Sequence, residues 1–127
     1  MVVLSLYLIN NGYARLVADS RLFEAQSLDV RSQWRETESL VKQALLVLPD
    51  DSHAEMVASQ IYANRFLASH EPEAFARCHE LLESSYRHNP FERMRLINLI
   101  ALEGAAIELG QISTSSEFAQ KALTILT

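Results

Sequence analysis

The chain has 127 residues, of which only 3 are glycine and 3 are proline, under half the ordinary combined usage of about 12%. That scarcity excludes turn-dense β folds, which need such punctuation between short strands, and a hydrophobic fraction of 49% excludes intrinsic disorder. The net charge of −5 argues against a domain built to wrap duplex DNA or lie on an anionic membrane.

The first predicted element is a helix over 3–26. The apolar run from Val2 to Ile9, broken only by Ser5, falls well short of the roughly 20 residues of a membrane span. It also lacks the basic start of a signal peptide. Helix is preferred over strand because the sequence offers no second strand to pair with it. The run is apolar on nearly every side of a helix. Val3, Leu6, Tyr7 and Leu8 are therefore expected to meet a second copy of the chain or another protein.

A second helix is predicted over 30–48, with Trp34, Thr37, Leu40, Ala44, Val47 and Leu48 at three- and four-residue steps. Pro49-Asp50-Asp51 ends it. Ser52-His53-Ala54-Glu55 has the form of a capping box and opens a third helix over 53–69. Glu71-Pro72-Glu73 opens a fourth over 72–88, whose stripe is Phe75, Cys78, Leu82 and Tyr86. Asn89-Pro90-Phe91-Glu92 repeats the capping logic before a fifth over 91–109, striped by Leu96, Leu99, Ile100, Glu103, Ala106 and Ile107. Gly104 falls inside that helix, where it is expected to allow close helix approach, and Gly110 follows Leu109 as a left-handed terminator. Thr114-Ser115-Ser116-Glu117 opens a sixth over 113–126, striped by Phe118, Ala122, Ile125 and Leu126.

Six helices joined by short loops are antiparallel neighbours, and they group as three pairs in a single domain spanning 1–127. The pair ends look alike: Ala44-Leu45 before Pro49, Ser85-Tyr86 before Pro90, and Ala122-Leu123 near the end of the chain. These residues resemble the tetratricopeptide repeat, a helix-turn-helix unit of about 34 residues. Leu102, Leu109-Gly110, Ala122 and Leu123 sit where that motif has its Leu, its inter-helix Leu-Gly and its closing Ala-Leu. Departures are plain: Glu103, Ala106 and Ser115 replace the motif's Gly, Tyr and middle Ala. The interval from Pro49 to Pro90 is also 41 residues. The expected fold is an all-α, tetratricopeptide-like α-solenoid of six helices, with an irregular helical bundle as the alternative.

The resemblance implies a non-catalytic module, an adaptor or chaperone, binding a peptide or helix on a concave face lined by the first helix of each pair. Carried over in that way, the contact residues are Tyr13, Leu16, Tyr62, Arg65 and Asn98. The absence of Lys from those first helices departs from the subtype that clamps a C-terminal carboxylate. The alternative function is a regulatory or oligomerisation domain of a larger protein, such as a bacterial transcription activator.

No catalytic set accompanies these features. The three glycines form no phosphate-cradling loop. In His79-Glu80-Leu81-Leu82-Glu83, the place of a second zinc-binding His is taken by Glu83, so His79 and Glu83 read as a surface pair. Cys78 reads as a buried packing residue, and His88 as a favourable charge at a helix C-terminus. Arg87, His88, Arg93 and Arg95 form the one local basic patch, too small for nucleic-acid binding of any strength. No cofactor, metal, membrane or nucleic-acid partner is expected. One cysteine cannot form an intrachain disulfide, which suits a reducing, cytoplasmic location.

Overall fold

A computed structural model describes residues 2–90 and 94–110. Those residues form five α-helices and no strand: α1 (Val2–Ser27), α2 (Trp34–Val47), α3 (Ser52–Ser69), α4 (Pro72–His88) and α5 (Met94–Glu108). The sixth expected helix, 113–126, and its cap lie outside the described residues, as do Phe91, Glu92 and Arg93. None of the described helices is long and apolar enough to cross a membrane.

Helix ends follow local chemistry, twice differently from expectation. The second helix starts at Trp34 rather than near residue 30, because Asp29 builds a turn first. Its carboxylate accepts from the Arg31 amide at 2.9 Å and the Ser32 hydroxyl at 2.9 Å. The Gln33 amide then donates to the Asp29 carbonyl at 2.8 Å. These bonds hold the Asp29 carboxyl below its ordinary pKa, the Arg31 amide contributing most.

The cap of α3 is Asp51, not Ser52: its side chain accepts from the Ala54 amide at 2.9 Å. Ser52 is the first helical residue and donates to the Ser85 carbonyl at 2.9 Å, tying α3 to α4. Two other boundaries follow the sequence. Pro72 occupies the first turn of α4, and Gly110 takes φ +72°, its amide donating to Ile107. His70 closes α3 at φ 60° without the help of glycine.

Packing follows chain order. α1 lies on α2 and α3 on α4, the latter being the most extensive junction, while α5 rests on α4 and α3 touches both α1 and α2. Alanines at the junctions let helices approach: Ala18, Ala25, Ala44, Ala54, Ala58 and Ala106 are all fully buried. Larger side chains fill the centre, with Phe66, Val41, Ile61, Tyr62 and Leu82 buried and Phe66 tilted against Phe75 at 5.5 Å. Gly104 corrects the expectation of close approach, since a Cβ there would meet nothing within 4 Å.

Candidate functional site: a groove between α3 and α5

Both α3 and α5 rest on α4, and between them runs a groove with a volume of about 220 Å³. Its floor is apolar: Cys78 and Leu82 of α4 and Leu102 of α5, all buried. Ala63 and Leu67 form the α3 wall, and Ala101 and Ala105 the α5 wall. Leu67 is 55% exposed, an apolar side chain with no covering partner among the described residues. Amide side chains stand along the rims, Gln60 and Asn64 on α3 and Asn98 on α5. An apolar slot edged by donors and acceptors can bury one large aliphatic or aromatic side chain and hydrogen-bond the backbone on either side of it.

Burial pushes the Cys78 thiol up to about 12, so at neutral pH it is protonated and a poor nucleophile. It serves the groove as a small apolar surface.

Of the residues carried over from the repeat resemblance, Asn98 alone lines this groove. Tyr13 and Leu16 lie on α1, each 67% exposed. Tyr62 and Arg65 are turned to the other side of α3. The Tyr62 ring is buried edge-on to Trp34 at 5.3 Å, and its hydroxyl donates to Glu38 at 2.9 Å. Burial, and then the neighbouring Glu38 carboxylate, push that hydroxyl up to about 12.

Arg65 lies over the Trp34 ring at 5.3 Å and forks onto Glu71 at 2.5 and 3.2 Å. It also donates to the Val30 carbonyl at 2.7 Å. Both side chains are committed to internal contacts. Val3, Leu6, Tyr7 and Leu8 fall within the α1 backbone, and their side chains lie outside what the structure describes.

Sequence reasoning missed Asn64, Gln60 and Leu67. A signal was present: Asn64 interrupts the otherwise apolar line Val57, Ile61 and Ala68, and it stands 34 positions before Asn98.

Two of the histidines are also engaged. His79 reaches Glu83 at 3.2 Å as expected, but it is largely buried, and its Nε2 lies 2.9 Å from the buried Glu103 of α5. The surface pair is thus a link between helices. His88 Nδ1 lies 2.7 Å from the buried Glu55 of α3, which also accepts from Ser84. No three or more His, Cys, Asp or Glu side chains among the described residues are arranged to hold a metal ion.

No family model matches the chain, and neither a curated protein nor a solved structure matches it.

Proposed function

We propose that this chain is a non-catalytic protein–protein interaction module of the adaptor or chaperone kind. In this reading it seats an apolar anchor side chain of a peptide or helix in the groove between α3 and α5. The observation that carries the reading is the groove itself, apolar at the floor and edged by Gln60, Asn64 and Asn98. Its volume suits a single Leu, Met or Phe anchor rather than a whole cofactor, since small-molecule pockets start near about 300 Å³.

The packing order supports a tetratricopeptide-like solenoid as the scaffold: hairpins α1–α2 and α3–α4, with α3 leaning on both helices of the first. The commitment of His79 and His88 to the buried carboxylates of Glu103 and Glu55 and the protonated state of Cys78 favour binding over catalysis. The lone buried thiol suits a reducing, cytoplasmic setting.

The test is a peptide array followed by calorimetry on the strongest binder. Replacing the peptide's anchor by Ala is expected to weaken it about 10- to 150-fold, the cost of re-exposing one large apolar side chain. Ala101→Glu, at an exposed wall position, should abolish binding without loss of helicity. Binding that survives Ala101→Glu and Leu67→Lys would sink the groove reading.

A further inference from the structure

We draw no further inference here: the strongest candidate, the polar cleft between α2 and α4 lined by Trp34, Glu38, Lys42, Tyr62, Glu73 and Arg77, is a cluster of charges in which Glu38 is held by Tyr62 and Lys42 and Arg77 by Glu80, and no buried polar side chain left without a partner among the described residues points to a ligand there.

Discussion

Arg65 shows how one residue joins three elements. Its guanidinium covers Trp34 of α2, forks onto Glu71 at the start of α4 and reaches back to carbonyls of the α1–α2 loop. A lysine can supply the charge but not the planar fork or the stacking. Arg65→Lys should therefore destabilise the chain by about 1.5–3 kcal/mol, the range for hydrogen bonds to charged groups, read from the urea midpoint. The site assignment for Arg65 rested on its place in a first helix. What turned it inward was the juxtaposition of Trp34 and Glu71, which lie 31 positions before it and 6 after it in the sequence.

The same scale yields a pH prediction. Tyr62 and Cys78 both have pKa values raised in the folded state to about 12, from 10.0 and 9.0. A raised value means that folding favours the protonated form. The contribution is present in full below pH 9 and is lost as pH climbs from 9 towards 12. Thermal melts should be insensitive to these groups below pH 9 and fall steadily above it. Cys78→Ala, which removes the group that begins to titrate first, should move the onset up by about one unit.

At the scale of elements, the helix starts show what a sequence carries and what it leaves open. Pro72 and Gly110 act through their own backbones, so their positions were readable directly. Asp51 and Ser52 are both good caps, and the choice depended on α4: the Ser52 hydroxyl is taken by Ser85, which leaves Asp51 to receive the Ala54 amide. Asp51→Ala should cost about 0.5–2 kcal/mol for the lost cap, with Ser52→Ala acting instead through the α3–α4 junction.

Gly104 offers a test of opposite sign. It is helical, exposed and has open space around a would-be Cβ, so Gly104→Ala should stabilise by about 0.5–1 kcal/mol, measured by chemical denaturation. The expected role in close approach predicts a loss instead.

Across the whole molecule, the helices are not equally anchored. α3 and α4 share the most extensive junction, reinforced by Ser52 with Ser85 and by Glu55 with Ser84 and His88. Among the described residues, α5 makes its substantial contacts with α4, with Glu103 and His79 as a buried polar link. Hydrogen exchange should therefore show α3 and α4 protected longest and α5 opening earlier. Glu103→Ala should widen that difference selectively, because the largely buried His79 loses one of its two carboxylates.

The sequence by itself determined the all-helical class and most helix boundaries. Helical periodicity and terminal punctuation are short-range properties, and so few glycines and prolines leave few places for a break. Tertiary structure decided which face of each helix does what. Tyr62, Arg65 and Asn64 lie within four residues on one helix. A helix turns about 100° per residue, so only the positions of α2, α4 and α5 sorted them into a core joint and a groove rim. The same sorting separated the two apolar faces of α1, one buried at α2 and one exposed, a distinction that apolar composition alone does not carry.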